Sequence, residues 1–173
     1  MARHLFLTGE KGVGKSTLLQ RALGGYQGRV GGLRTLRTDA CCPGGWSVHL
    51  FGPGEEPVPS ADNLLFVCGG PQNDTPGRFD RLGCRALQRS AGCPLLVLDE
   101  LGPHEARAAE FRQAVLALLD GGTPILGVLQ APAAAFWPEL LQHPEAALLE
   151  ITRRNRDREE VLEQIRAIIK SSL

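Results

Sequence analysis

Leu5-Phe6-Leu7-Thr8-Gly9-Glu10-Lys11-Gly12-Val13-Gly14-Lys15-Ser16-Thr17 decides how the rest of the chain is read. The first three residues are a short apolar run, the signature of a buried strand. Gly9 to Ser16 fits G-x-x-x-x-G-K-[ST], the phosphate-binding P-loop or Walker A motif. Leu18, Leu19, Ala22 and Leu23 then recur at helical spacing. Strand, glycine loop and helix in this order form the context in which the motif works. Gly9, Gly12 and Gly14 let the backbone curl, so that successive N–H groups converge on one anion. A helix starting near Lys15 aims its positive dipole end at the same point. Lys15 brings a mobile charge to the β- and γ-phosphates, and the Ser16 hydroxyl is placed to ligate Mg²⁺. The expected nucleotide contacts therefore run through Gly9, Glu10, Lys11, Gly12, Val13, Gly14, Lys15, Ser16 and Thr17. Glu10 and Lys11 occupy unconstrained positions and should face outward.

A second signal lies ninety residues on. Leu95-Leu96-Val97-Leu98-Asp99-Glu100 is an apolar strand ending in two acids, the Walker B pattern expected beside a P-loop. Asp99 is the candidate to hold Mg²⁺, largely through coordinated water. Glu100 can orient and deprotonate the water that attacks the γ-phosphate. Lys15 and Glu100 are thus the catalytic candidates, Ser16 and Asp99 the metal candidates.

The chain has 173 residues, enough for one domain with a full core, and residues 1–173 are read as a single P-loop domain. Lysine plus arginine and aspartate plus glutamate both number 19, so overall charge gives a nucleic-acid partner no support. A local basic patch stays open. The five cysteines (Cys41, Cys42, Cys68, Cys84, Cys93) are odd in number and form no C-x-x-C, which indicates reduced thiols in a cytoplasmic protein. No start resembles a signal peptide and no apolar run reaches membrane-spanning length.

Between the two motifs, Gly24 to Gly28 breaks the chain. Arg29–Arg37 and Trp46–Phe51 read as a β-hairpin, Gly52–Asp62 as a loop and Asn63–Cys68 as a strand. A helix is expected over Arg78–Arg89 and a longer one over Glu105–Asp120. A short helix over Phe136–Leu141 and a last one over Asp157–Ser171 follow. Asp157 and Glu160 have capping-box spacing. Pro124–Leu129 and Ala147–Thr152 complete the strands. Apolar strands alternating with helices predict an α/β three-layer sandwich, a mostly parallel sheet with helices on both faces and a β-hairpin insertion. The two motifs are expected to meet at adjacent strand tips.

Asp99-Glu100-Leu101-Gly102-Pro103-His104-Glu105 resembles the D-E-[IL]-G-x-x-E signature of the small nucleoside-triphosphatases typified by the cancer-related nucleoside-triphosphatase. Met1 to Gly9 and Ile125-Leu126-Gly127 are also similar, and Thr152-Arg153-Arg154-Asn155-Arg156 matches a T-x-x-N-R element. The resemblance thins between Arg34 and Gly77, and Glu10-Lys11 stand where prolines are usual. It implies slow, Mg²⁺-dependent hydrolysis of several nucleoside triphosphates, ATP and GTP among them. Glu105 matches the last acid of the signature; it either tunes the metal and water network or caps the helix beginning near it.

Arg153, Arg154, Arg156 and Arg158 crowd the loop after the last strand, where Asn155 can meet a base edge and an arginine the base or phosphates. Asn155 and Arg156 therefore join the nucleotide candidates, against the alternative of a solvated basic helix start. Gln130 ends the preceding strand and can sense the γ-phosphate or simply begin a loop. Asp74-Thr75-Pro76-Gly77 spells D-x-x-G but does not directly follow a strand, and reads as a turn. With no guanine-reading N-K-x-D, base discrimination should be loose. A P-loop kinase and a nucleotide-gated interaction module are the alternatives to a hydrolase. A monomer is expected, with no membrane partner.

Overall fold

The computed structural model describes residues 2–40, 44–69 and 74–173. The Cys41-Cys42 pair and the 70–73 part of the expected Gly69–Gly77 loop lie outside them. Among the described residues seven strands form one sheet: β1 (His4–Thr8), β2 (Val30–Thr38), β3 (Trp46–Phe51), β4 (Leu64–Cys68), β5 (Leu95–Leu101), β6 (Ile125–Leu129) and β7 (Ala146–Glu150), in the order β4-β3-β2-β5-β6-β1-β7. The helices are α1 (Lys15–Leu23), α2 (Thr75–Arg89), α3 (Pro103–Arg107), α4 (Ala109–Leu119), α5 (Ala133–Phe136), α6 (Pro138–Gln142) and α7 (Glu159–Lys170).

Two cores sandwich the sheet because successive strand side chains point to opposite faces. Phe6, Leu96, Leu98, Ile125 and Leu129 pack with Phe79, Phe111, Val115 and Leu140 of α2, α4 and α6. Leu5, Leu7, Leu95, Val97, Leu126 and Val128 pack on the other face with Leu18 and Leu19 of α1 and Leu162, Ile165 and Ile169 of α7. Strands apolar on both faces require this double cover.

The expected hairpin is a three-stranded antiparallel meander: β3 pairs with both β2 and β4 at one end of the sheet. Its less obvious face buries polar groups. Ser47 Oγ lies 2.8 Å from His49 Nε2, and His49 Nδ1 lies 2.7 Å from Asn63 Oδ1. These are the distances of a Ser-His-Asn nucleophile chain, but Ser47 is 0% and His49 1% exposed, so no substrate reaches it. The chain satisfies buried polar atoms.

Three other expectations change. The helix foreseen over Glu105–Asp120 is broken at Ala108, which is extended (φ −80°, ψ 98°) and fully buried. The chain restarts as α4 because Asp80 of α2 accepts the Phe111 N–H at 2.8 Å, supplying a cap from another helix. The Asp157–Glu160 capping box does not form; Arg158 precedes α7 with no side-chain cap, and Asp157 pairs with Arg156. The two motif strands are not neighbours either: β6 runs parallel between β1 and β5.

Candidate active site

The loop from Gly9 to Gly14 leaves the tip of β1 and enters α1 through three residues with positive φ, Gly9 (136°), Gly12 (77°) and Gly14 (108°). Gly9 is needed twice over. Besides its φ, a Cβ there would lie 2.2 Å from the Ile151 carbonyl oxygen, because the residue after β7 crosses directly behind the loop. Ile151 N–H donates to Thr8 O at 2.8 Å, which fixes that crossing. Glu10 and Lys11 are both exposed, but only Glu10 stays clear of the cleft; Lys11 borders it, against the outward placement expected.

Lys15, the first residue of α1, is 7% exposed. Its Nζ donates to the carbonyls of Gly9 (2.8 Å) and Glu10 (2.9 Å), folding the side chain back over the loop. Burial pushes its pKa down, opposed by the charges of Glu100 and Asp99. Ser16 Oγ donates to Asp99 Oδ1 at 2.8 Å. This bond spans the intervening strand β6 and joins the two motifs.

Burial raises the pKa of Asp99, against the Ser16 hydrogen bond and the charges of Arg34 and Lys15. Glu100 is raised by burial and then by its neighbour Asp99, with Lys15 and Lys11 opposing. A carboxylate made more basic beside a phosphate-binding loop suits proton abstraction from water. Glu105 does not line the cleft. It is 6% exposed, accepts the Gly102 N–H at 2.9 Å, and burial pushes its pKa up to about 7. It caps α3, so the capping role is the one the structure carries.

The cleft has a volume of about 300 Å³ and is lined by Gly9, Lys11, Gly12, Gly14, Lys15, Ser16, Thr17, Glu100, Gln130 and Ala131. Gln130 reaches it because β6 lies between the two motif strands, so its tip opens between loop and acids. A Cβ on Gly102 would sit 2.4 Å from Gln130 Oε1, which puts this amide against the turn after β5. The same turn is held from beneath: Trp137 Nε1–H donates to Gly102 O at 3.1 Å.

Asn155 and Arg156 stand differently from the other candidates. The Asn155 amide is engaged at both ends by its own loop, accepting from Thr152 N–H and donating to Glu150 O, both at 2.8 Å. It shapes the loop. Arg156 Nη1 donates to the Val13 carbonyl at 3.3 Å, leaning that loop on the phosphate loop. Sequence reasoning missed Arg34. The β2–β5 register sets it opposite Asp99, and its Nη2 is held by the Glu55 carbonyl. Only the strand pairing reveals that position. Asp74, in the D-x-x-G, occupies the N-cap position of α2.

The donor set can be tested against Mg²⁺. The ion takes hard oxygen ligands octahedrally at about 2.0–2.1 Å, so neighbouring ligand oxygens lie about 2.9 Å apart. The Ser16 hydroxyl is a hard oxygen donor, and its 2.8 Å bond places the Asp99 carboxylate where it can accept from the hydroxyl and from a water of the ion's shell. Such a site leaves room for the waters and phosphate oxygens that Mg²⁺ retains.

A glycine loop feeding a helix with one buried face, with a serine hydroxyl bonded to a carboxylate on β5, defines a P-loop nucleotide-binding protein. Within that class the chain belongs to the NTPase family, whose model matches residues 4–166. It is 30% identical over 179 residues to the cancer-related nucleoside-triphosphatase homolog of Bos taurus, covering 91% of this chain and 92% of that protein. It is 27% identical over 157 residues to the nucleoside-triphosphatase THEP1 of Methanosarcina barkeri, covering 87% and 89%. The crystal structure of THEP1 from Aquifex aeolicus superposes with a TM-score of 0.70 over 96% of this chain and 99% of that one; at 19% identity this likeness speaks to the fold.

Proposed function

We propose that the protein is a single-domain, cytoplasmic, monomeric enzyme that hydrolyses nucleoside 5′-triphosphates to the diphosphate and phosphate, with Mg²⁺, slowly and with little base preference. The observation that carries this reading is the Ser16–Asp99 hydrogen bond, with Glu100 beside it on the wall of the phosphate cleft. Family membership supports the hydrolase class.

The loop N–H groups and the start of α1 hold the phosphates. Lys15 exchanges the carbonyls of Gly9 and Glu10 for β- and γ-phosphate oxygens. Ser16 and Asp99 would hold Mg²⁺, which neutralises charge on those oxygens when bound. Glu100 accepts one proton from a water in line with the γ-phosphorus. The water oxygen bonds to phosphorus, the bond to the bridging oxygen breaks, and the diphosphate leaves. Gln130 orients the water or the γ-phosphate from the third strand tip. Among the described residues the cleft wall carries two lysines and no arginine. An arginine at the transition state is worth about 10³–10⁵ in rate, hence the slow turnover. Asn155 shapes, and Arg156 borders, the nucleotide's outer end.

The test is phosphate release from several triphosphates with Mg²⁺ and no acceptor. Lys15→Ala should abolish binding or turnover. Glu100→Gln should keep nucleotide affinity and lose at least about 10² in kcat, the lower end for general-base catalysis. Undiminished hydrolysis by Glu100→Gln removes the base assignment, and phosphate transfer only to an added acceptor overturns the hydrolase reading.

A further inference from the structure

A second and larger cleft, of about 840 Å³, opens at the other end of the sheet. Its lining includes Val30 and Gly31 at the start of β2 and Cys93 just before β5, whereas the phosphate cleft lies past the ends of β1, β5 and β6. One wall is basic. Arg81, Arg85 and Arg89 recur every four residues along α2, about 6 Å apart on the axis, and Arg29 joins them. All four are exposed. Arg112, Arg156 and Arg166 each find a carboxylate, but among the described residues none of these four forms an ion pair or a side-chain hydrogen bond. In a chain of zero net charge, such a cluster is a local positive potential that no carboxylate among the described residues pairs with directly.

The facing wall is the loop 52–63, which presents Glu55 and Asp62 together with backbone around Gly52 and Ser60. Glu55 is held in place by accepting the Gly52 N–H at 2.8 Å. Leu50, Leu82 and Ala86 contribute apolar lining. The two walls ask for different things. Guanidinium groups pair bidentately with phosphate, and carboxylates accept from hydroxyl or amino groups. A continuous phosphodiester chain fits poorly: Glu55 and Asp62 repel it, and among the described residues the lining has no aromatic ring for a base to stack on. The volume is within the range of small-molecule sites.

We propose that this cleft is a second ligand site, which takes a small organic phosphate with its phosphoryl group on Arg81, Arg85 and Arg89 and its hydroxyl or amino donors toward Glu55 and Asp62. It lies apart from the nucleotide cleft and does not depend on hydrolysis there.

The probe is ribose 5-phosphate, titrated calorimetrically into the full chain without Mg²⁺, with ribose and a ten-residue oligothymidylate as parallel arms. Wild type and Lys15→Ala should bind ribose 5-phosphate alike with 1:1 stoichiometry, and ribose should not bind. Arg81→Glu/Arg85→Glu should weaken binding about tenfold or more, the scale of losing one charge-assisted hydrogen bond. Both arginines are exposed and outside the hydrogen-bond network, so circular dichroism and triphosphate hydrolysis should match wild type. The proposal falls if ribose 5-phosphate does not saturate wild type at millimolar concentration, or if the double variant binds it normally. Loss in Lys15→Ala would assign the binding to the P-loop instead. Oligothymidylate binding that depends on the two arginines, without ribose 5-phosphate binding, would make the groove a nucleic-acid site and overturn the small-ligand reading.

Discussion

Replacing Glu105 by glutamine should change how stability depends on pH. The carboxyl is almost fully buried, and its pKa rises from 4.5 to about 7. Desolvation of the charged form drives the rise, the backbone hydrogen bonds at Gly102 and Glu105 oppose it, and Glu100 adds to it. Because the folded-state value is raised, the native state holds this proton more tightly than the unfolded chain. The associated stability is complete below about pH 4.5 and is lost as pH climbs through 7. A shift of about 2.5 units corresponds to about 3 kcal/mol once both states are ionised. Glutamine cannot ionise, yet its carbonyl can still accept the Gly102 N–H. Urea unfolding of both proteins at pH 5 and pH 8.5, with chelator present, measures the effect. The variant should gain about 2–3 kcal/mol on wild type between the two conditions. Any fixed cost of the extra NH₂ group cancels in that comparison, as does the raised pKa of Asp99, which both proteins share. A stability difference that stays flat across the range would refute the buried, proton-holding carboxyl.

Gly9→Ala should lower the melting temperature by several degrees and abolish nucleotide binding, since the new methyl meets Ile151 O at 2.2 Å in a backbone conformation alanine avoids; a thermal melt and a nucleotide titration decide it. Ser16→Ala should raise the Mg²⁺ concentration needed for half-maximal hydrolysis more than it raises KM for the triphosphate, and a Mg²⁺ curve indistinguishable from wild type would remove Ser16 from the metal site. Asn63→Ala leaves the buried His49 without its Nδ1 partner and should cost about 1–3 kcal/mol in urea unfolding. The same variant should hydrolyse triphosphates normally; a loss of kcat at full stability would tie the Ser47–His49–Asn63 chain to turnover.

The phosphate end of the molecule was legible because its signals are local. A short apolar run, three glycines and a helical pattern spell one object, and an apolar run followed by Asp99-Glu100 spells the other. Double-faced strands implied helices on both sides without saying which. What stayed hidden depends on pairing and on contacts distant in sequence. Periodicity carried one helix through Ala108, because the Asp80 side chain that caps the second half comes from thirty-one residues upstream. Nothing local tells that β6 passes between β1 and β5, or that Arg34 faces Asp99. Nor does anything local tell that Ser47 and His49 are buried in a chain of hydrogen bonds closed by Asn63. The spacing of Asp157 and Glu160 promised a cap, but the Asn155-centred turn uses the preceding residues differently.

The indole of Trp137 bonded to Gly102 O has a mechanical corollary. The turn that follows the acids and the segment following Gln130 are rivetted together from below, at a fully buried point. One bank of the crevice is thereby anchored to the core. The other bank, beyond the buried Ile151–Thr8 bond, rests on the phosphate loop through the exposed Arg156, whose Nη1 donates to Val13 O at 3.3 Å. Nucleotide entry and product departure should therefore proceed by yielding on the arginine-rich side, and a cross-link from that loop to the glycine coil would trap whatever is inside.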